Sequence, residues 1–237
     1  MDHIARLTAG LDEAVRGCVI GPLVIAIVVA EEKDRRWFAA HNVRDSKIVP
    51  PRERDGLATS IRKRCWHRII TIEPEDVDDA VYDTGRSLND LEMEAMTALT
   101  KHAQQTFVSR SLRVTVDAFG RNEDIFLERF RRALPIIDGH AIRAMHHADA
   151  LDRTVGAASI IAKAERERCI AELKSDIGVD FGSGYCSDPV TTQFLREFDR
   201  NHPMIRKSWK TKDRKPEADL ESRFRFPASG FRFSLFS

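Results

Sequence analysis

Two kinds of hydrophobic pattern alternate along the 237-residue chain. Short, nearly continuous runs of Val, Ile and Leu favour buried strands. Strands are predicted in this way at residues 8–12, 23–30, 66–72, 113–117 and 140–145. Elsewhere apolar residues recur at helical spacing, as Leu91, Met96, Leu99 and Ala103 do, which indicates the buried face of a helix. Helices are predicted at residues 52–64, 88–108, 122–134, 153–175 and 189–199.

The order of these elements indicates the fold class. Strands dominate the first part, and helices and strands alternate afterwards. This order predicts an α/β fold, in which a mixed β-sheet is flanked by helices and followed by a C-terminal helical segment. The chain is long enough to bury a sizeable core, and no glycine- or serine-rich linker interrupts its middle. We therefore expect one domain over residues 1–211 and a mobile tail over residues 212–237.

Cysteine usage and hydropathy narrow the class of protein. The four cysteines lack the paired spacing of a zinc or redox motif, and the N-terminus lacks the pattern of a signal peptide. The longest strongly apolar run, residues 19–30, is too short to cross a bilayer and contains Gly21-Pro22. We expect a cytoplasmic protein with reduced thiols and no membrane role.

The formal net charge of +1 neither requires nor excludes a nucleic-acid partner. Only local concentrations of charge are therefore informative. Basic residues gather in two stretches, one over residues 52–68 and one over residues 206–215. Taken alone, either stretch fits a solvated helix face. Both stretches become candidates for contacts with phosphate groups if the acidic residues described next form a site.

Carboxylates mark the ends of predicted elements. Asp12 and Glu13 follow the first strand, Asp117 ends the fourth, and Asp149 precedes the long helix. Consecutive strand residues point to opposite faces, so Asp12 and Glu13 can serve one site only if the strand ends there. The segment Val15-Arg16-Gly17 is expected to provide that end. The alternative for Asp149 is a residue that caps the following helix.

Four carboxylates in one place repel one another unless cations lie between them. Their oxygen ligands suit Mg²⁺ or Mn²⁺ rather than zinc, which predicts a two-metal site for phosphodiester hydrolysis. Such sites also serve phosphatases and polymerases, so the carboxylates indicate the reaction but not the substrate. Ligation by the neighbouring His146 and His147 is disfavoured, because a hard cation prefers oxygen and adjacent histidines lack helical spacing.

The order of several motifs resembles the ribonuclease HII (type 2 ribonuclease H) family. Five elements match it: Gly10 to Pro22 around Asp12-Glu13, Asp45-Ser46-Lys47, Asp117-Ala118-Phe119-Gly120, Ala148-Asp149 with Val155 to Lys163, and Gly182 to Tyr185 with Ser187-Asp188-Pro189. The resemblance covers roughly residues 8 to 211. Val15 stands for a family glycine, Cys18 for a proline, and Met145 and His147 also depart from the family pattern.

This resemblance implies a ribonuclease H-like fold and an endoribonuclease that cuts the RNA strand of RNA/DNA hybrids, leaving 5′-phosphate and 3′-hydroxyl ends. It implies roles in RNA primer removal and in removal of ribonucleotides from DNA. Asp12, Glu13, Asp117 and Asp149 are then the catalytic and metal-binding residues. The substrate-binding residues are Arg16, Gly17, Lys47, Lys163 and Tyr185. Lys163 alternatively points to solvent, and Tyr185 alternatively packs on the core.

Other functions stay open on the sequence alone. One alternative is a structure-selective DNA nuclease of the same fold, and another is a hybrid-binding protein with impaired catalysis. Retention of all four carboxylates argues against the second. The tail carries five phenylalanines between Phe224 and Phe236, and some relatives use their C-termini to bind a replication sliding clamp. The usual glutamine and paired aromatics are missing, which favours a disordered or core-patching tail. We expect a monomer.

Overall fold

A computed structural model of the chain describes residues 6–14, 16–44, 49–83, 85–135, 137, 139–198, 201–209 and 234–236. Its strands are β1 (Leu7–Ala14), β2 (Leu23–Ala30), β3 (Trp66–Ile72), β4 (Leu112–Asp117), β5 (Ala141–Met145) and β6 (Ser234–Phe236). Its helices are α1 (Glu32–Ala40), α2 (Pro51–Arg64), α3 (Pro74–Tyr82), α4 (Leu88–Thr106), α5 (Glu123–Arg132), α6 (Ala148–Leu151), α7 (Arg153–Ile177) and α8 (Pro189–Glu197).

The described strands form one mixed sheet in the order β5-β4-β1-β2-β3-β6. β1 pairs antiparallel with β2 and parallel with β4, and β4 pairs parallel with β5. Since parallel strands run in the same direction, β1, β4 and β5 all end at one edge of the sheet. The predicted α/β architecture is confirmed.

Each face of the sheet packs against its own helices. Leu7, Ala9 and Leu11 of β1 belong to a buried cluster shared with α3, α4 and α5. The alternate residues of β1 face α7, and a Cβ added to Gly10 would lie 2.3 Å from the backbone nitrogen of Val155. Glycine at this position therefore allows the start of α7 to approach the sheet.

A third buried cluster joins the C-terminal helical segment to the rest of the domain. Phe194 and Leu195 of α8 pack with Val19 and Ile20 of the β1–β2 connection, and with Ile170 of α7. Backbone hydrogen bonds from Gly21 N to Met204 O (2.8 Å) and from Arg206 N to Val19 O (2.8 Å) complete this junction. The segment thus lies beside the connection that follows the paired carboxylates.

The structure corrects several predicted bounds. β1 does not end at Asp12 but continues through Ala14, with Asp12 and Glu13 paired to Ala26 and Ile25 of β2. Helices α1, α3 and α6 were not predicted. β6 lies within the predicted tail and pairs with β3, whereas residues 210–233 lie outside the described residues. No helix in the described part of the chain combines the length and apolar character that a membrane span requires.

Candidate active site

Asp12 and Glu13 lie side by side in β1 but point to opposite faces of the sheet, because the strand continues past them. Asp12 is hydrogen-bonded to Ser159 of α7, whereas Glu13 lies near Glu92 of α4. β1 does end at Ala14, directly before the predicted segment Val15-Arg16-Gly17, but this end lies past Asp12 and Glu13 and so does not turn both side chains to one face. Both nevertheless interact electrostatically with Asp117 at the end of the neighbouring strand β4.

The ends of β4 and β5 bring the other two carboxylates to the same place. Leu11 of β1 pairs with Val116 of β4, so Asp12 and Asp117 follow at the same level of the sheet. Asp117 accepts a hydrogen bond from Ala148 N (3.1 Å) at the start of α6. Asp149, on the same short helix, is only 3% exposed. Asp149 also acts electrostatically on Asp12.

Burial and mutual repulsion perturb the titration of the paired carboxylates. Burial raises the pKa of Asp12 well above its ordinary value, and the charges of Glu13, Asp117 and Asp149 raise it further. Burial likewise raises the pKa of Glu13 to about 7, with Glu92 and Asp117 adding to the effect. Such a concentration of desolvated negative charge is typical of a site that receives cations.

The donor set fits a hard divalent cation by its chemistry, because all four predicted ligands offer carboxylate oxygens. As these side chains stand, no group of three or more Asp, Glu, His or Cys among the described residues is arranged to hold a metal ion. Asp12 accepts a hydrogen bond from Glu13 N (2.8 Å), and Asp117 accepts one from Ala148 N. Metal ligation by Asp12, Glu13, Asp117 and Asp149 thus stays a prediction.

The loop after Glu13 is anchored from two sides. The Arg16 guanidinium donates to Asn89 Oδ1, lies 3.4 Å from Glu92 Oε2, and stacks 5.2 Å from the ring centroid of Phe119. Gly17 is exposed, and a Cβ added there would meet no atom within 4 Å. The Arg16 side chain therefore contacts protein groups, while the backbone at Gly17 is open to a ligand. Val15 lies outside the described residues.

Tyr185 lies beside the same loop. It is 36% exposed, forms a β-bridge with Cys18, and is hydrogen-bonded through its side chain to Cys18. Arg166 donates to Cys18 Sγ (3.1 Å) and to Ser183 O, and its guanidinium carbon lies 5.5 Å from the Tyr185 ring centroid. One side of the tyrosine is thus fixed by buried groups, and the remainder is available to a ligand.

The glycine-rich turn that carries Tyr185 is held by α8. Asp188 accepts from Ser183 N (2.6 Å) and Val190 N (2.9 Å), and its hydrogen bonds with Ser183 lower its pKa to about 2. Thr191 Oγ1 accepts from Gly184 N (2.9 Å) and donates to Phe181 O (2.8 Å). The Ser-Asp-Pro motif therefore caps α8 and fixes the turn at once.

The other residues considered from the sequence lie in different surroundings. Lys163 is half-buried on α7 and already interacts within the protein. Lys47 and its motif lie outside the described residues. His146 Nδ1 lies 2.9 Å from Ala118 O, which fits a structural role. In the first basic stretch, Arg54 pairs with Glu167 and Arg62 with Glu165, so these two arginines stabilise the contact between α2 and α7.

The buried residues that hold the loop after Glu13 and the Tyr185 turn were not predicted from the sequence. Glu92 and Asn89 lie on a helix whose apolar pattern gives no sign of them. Arg166 lies within α7, and Arg206 was counted as part of a basic stretch although it is fully buried. Arg206 donates to Gly21 O (3.2 Å) and Arg16 O (3.1 Å). Only tertiary structure brings these residues to the loop.

Comparisons with known proteins show what the whole chain is similar to. Residues 9–212 match the sequence model described as Ribonuclease HII. The chain is 38% identical over 208 residues to the ribonuclease HII of Archaeoglobus fulgidus, and the alignment covers 86% of this chain and 94% of that protein.

Two solved structures share the fold. A crystal structure of ribonuclease H2 from Pyrococcus horikoshii OT3 matches with a TM-score of 0.73 and 33% identity, covering 86% of this chain and 94% of that one. A structure of the PCNA:RNase HII complex from Archaeoglobus fulgidus matches with a TM-score of 0.75 and 33% identity, covering 89% of this chain and 98% of that one. The ribonuclease H-like fold that the sequence implied is confirmed.

Proposed function

The chain belongs to the ribonuclease HII family, and from that premise we propose that it hydrolyses the RNA strand of RNA/DNA hybrids. The observation that supports this proposal is the electrostatic proximity of Glu13, Asp117 and Asp149 to Asp12, beside an open loop backbone and a partly exposed tyrosine. Carboxylates supply the hydrolytic chemistry, and the loop and tyrosine supply a surface for the ribose strand.

The proposed centre depends on divalent cations. Asp12, Glu13, Asp117 and Asp149 would hold Mg²⁺ or Mn²⁺, which would activate a water molecule and stabilise the leaving 3′ oxygen. Asp12 and Asp149 are themselves shielded from bulk water. Burial raises the pKa of Glu13 to about 7, so near neutral pH this carboxyl would have to lose its proton to ligate a cation. The products are a 5′ phosphate and a 3′ hydroxyl.

The loop and Tyr185 are proposed to choose the substrate. RNA differs from DNA by the 2′ hydroxyl, which can exchange hydrogen bonds with an exposed backbone. Gly17 leaves room for such an approach, and the Tyr185 ring offers an apolar face to the sugar of the next nucleotide. Lys47 and Lys163 are proposed to contact phosphate groups, which adds affinity without sequence preference.

We propose the cellular roles that follow from this chemistry, namely removal of RNA primers and of ribonucleotides from DNA. The described cysteines are free, which fits a reducing compartment such as the cytoplasm. A sliding clamp is a proposed partner, because the similar Archaeoglobus fulgidus protein has been solved in a complex with PCNA. Binding of a clamp to the full chain and to a chain truncated before residue 224 tests this contact. A monomer stays a prediction, which light scattering tests.

A cleavage assay on three duplexes tests the function. The substrates are a continuous RNA/DNA hybrid, a DNA duplex with one embedded ribonucleotide, and an all-DNA duplex, each with Mg²⁺, Mn²⁺ or a chelator. We expect metal-dependent cleavage of the RNA strand of the hybrid and none of the DNA duplex. Cleavage of branched or plain DNA without cleavage of the hybrid would favour the DNA nuclease instead, and binding without cleavage would favour an impaired enzyme.

A further inference from the structure

Behind the proposed substrate loop lies a buried carboxylate with no role in the hydrolysis described above. Glu92 on α4 is 0% exposed. Neither of its oxygens accepts a hydrogen bond from the part of the chain that the structure describes. Placing such a group in the core is costly unless positive charge lies near it. We therefore expect positively charged side chains near Glu92 that are stabilised by its carboxylate.

Two arginines supply that charge. Arg16 Nη2 lies 3.4 Å from Glu92 Oε2. Burial raises the pKa of Glu92 to about 7, and Arg16 and the fully buried Arg206 oppose this rise by favouring the charged carboxylate. Loss of the carboxylate would leave the Arg206 guanidinium in the core with less compensation. Glu92 is thus the negative centre of a cluster with two positive members.

Both arginines hold the same segment, residues 16–21, which we call the substrate loop. Arg16 belongs to this loop and reaches α4 through Asn89 and Glu92. Arg206 donates to Arg16 O (3.1 Å) at one end of the loop and to Gly21 O (3.2 Å) at the other. The cluster therefore fixes the two ends of the loop while Gly17 between them stays exposed.

We propose that Glu92 is a positioning residue that, through Arg16 and Arg206, holds the substrate loop in the conformation in which its backbone meets the RNA strand. This inference rests on the proposed function. The Arg16 side chain then acts as an internal anchor, and the backbone of the loop contacts the substrate. Asn89 is the second group of the same anchor.

The first test compares Glu92→Gln with Glu94→Gln on the continuous hybrid. Gln keeps the shape of Glu92 and removes its charge, whereas Glu94 is half-exposed and pairs with Arg86 on the surface. We expect Glu92→Gln to lower kcat about tenfold while KM changes about twofold or less, because a misplaced loop costs most in the transition state. Glu94→Gln should leave both constants near their wild-type values. Equal constants in the two variants would overturn the proposal.

A double-mutant cycle separates positioning from general stability. If Glu92 acts through Arg16, Glu92→Gln and Arg16→Ala together should cost less than the product of their separate losses in kcat. A purely structural role predicts losses that multiply, and that result would contradict the proposal. Asn89→Ala, which removes the other contact of Arg16, should show the same coupling and replaces Glu92→Gln if that variant does not fold.

Hydrogen exchange keeps the inference testable even if the proposed function fails. The amides of Val19 and Gly21 donate to Gly184 O (2.9 Å) and Met204 O (2.8 Å). We expect them to exchange several-fold faster in Glu92→Gln or Asn89→Ala than in Glu94→Gln. Unchanged exchange in these amides would refute the role of Glu92. Faster exchange in a protein that does not cut hybrids would refute only the proposed function.

Discussion

At the scale of the residue, the paired acidic residues differ more than their adjacency in sequence indicates. Asp12 faces α7 and is 4% exposed, whereas Glu13 faces α4 and is half-buried. Each lies near further carboxylates, so burial and mutual repulsion disfavour the charged form that a cation would require. The chemistry proposed for the site and the stability of the metal-free chain are therefore opposed.

This opposition predicts how Asp12→Asn affects the free energy of unfolding of the protein when a metal chelator is present. The folded pKa of Asp12 is raised above its unfolded value, so the unfolded chain loses this proton first, and stability falls as the pH rises from the unfolded towards the folded pKa. Asn carries no such penalty. We expect the free energy of unfolding to rise by about 1 kcal/mol at pH 8, with a smaller gain near pH 4.

Denaturant unfolding at both pH values measures this difference, with the exposed Asp124→Asn as the control. A gain that is equal at both pH values, or a loss at pH 8, would show that repulsion around Asp12 does not limit the stability of the metal-free chain.

Cys18 stands where the family has a proline, and its thiol forms contacts that a proline could not form. Its thiol accepts from Arg166 and is hydrogen-bonded to Tyr185. Cys18→Ala should lower kcat/KM on the hybrid about fivefold, because one hydrogen bond contributes about 1 kcal/mol and Tyr185 loses a support. Cys18→Ser, which keeps a hydroxyl at this position, should retain most of the activity. Steady-state kinetics of both variants check this, and identical losses in Ala and Ser would assign the effect to the sulfur atom instead.

At the scale of the element, the site depends on how closely α7 approaches β1. Gly10→Ala would place its Cβ 2.3 Å from backbone atoms of Thr154 and Val155, and neither strand nor helix can relieve this by turning a side chain. We expect a loss of about 3 kcal/mol and a fall in Tm of roughly 10 °C. Gly17→Ala is the matched control, since its Cβ meets nothing. Thermal unfolding that is the same for both variants would mean that α7 moves away without cost.

Val15, which precedes the substrate loop, lies outside the described residues, so the prediction for it comes from the sequence. A β-branched residue resists the backbone conformations that glycine adopts easily, at a cost of about 1–3 kcal/mol. Val15→Gly should raise kcat/KM on a single embedded ribonucleotide relative to the continuous hybrid, which offers many equivalent phosphates. The ratio of the two constants, measured in the same metal and salt, decides the matter. An unchanged ratio, or one that moves towards the hybrid, would mean that Val15 fits without consequence.

At the scale of the whole molecule, sequence predicted the strands well because each is a compact apolar run, and Trp66–Ile72 and Leu23–Ala30 have the predicted bounds. It missed α1, whose residues are mostly charged, and the short α6. These helices take their stability from packing and capping rather than from a long periodic pattern. The expectation that the Asp12 and Glu13 side chains point to one face was wrong, because only the pairing with β2 shows that β1 continues past them. Glu92 and Arg206 lie far apart in sequence, so only the fold reveals them as one cluster.

The carboxylates at the end of β1 and β4 are the proposed centre of a hybrid-specific ribonuclease. The most direct measurement is the initial rate of RNA-strand cleavage in a continuous hybrid at saturating Mg²⁺, for the wild type and for Asp12→Asn with its fold verified by circular dichroism. We predict metal-dependent cleavage by the wild type and a loss on the order of a thousandfold in the variant, because the proposed metal ligand contributes several kcal/mol to transition-state stabilisation. A correctly folded Asp12→Asn protein that cleaves the hybrid at close to the wild-type rate would contradict the account.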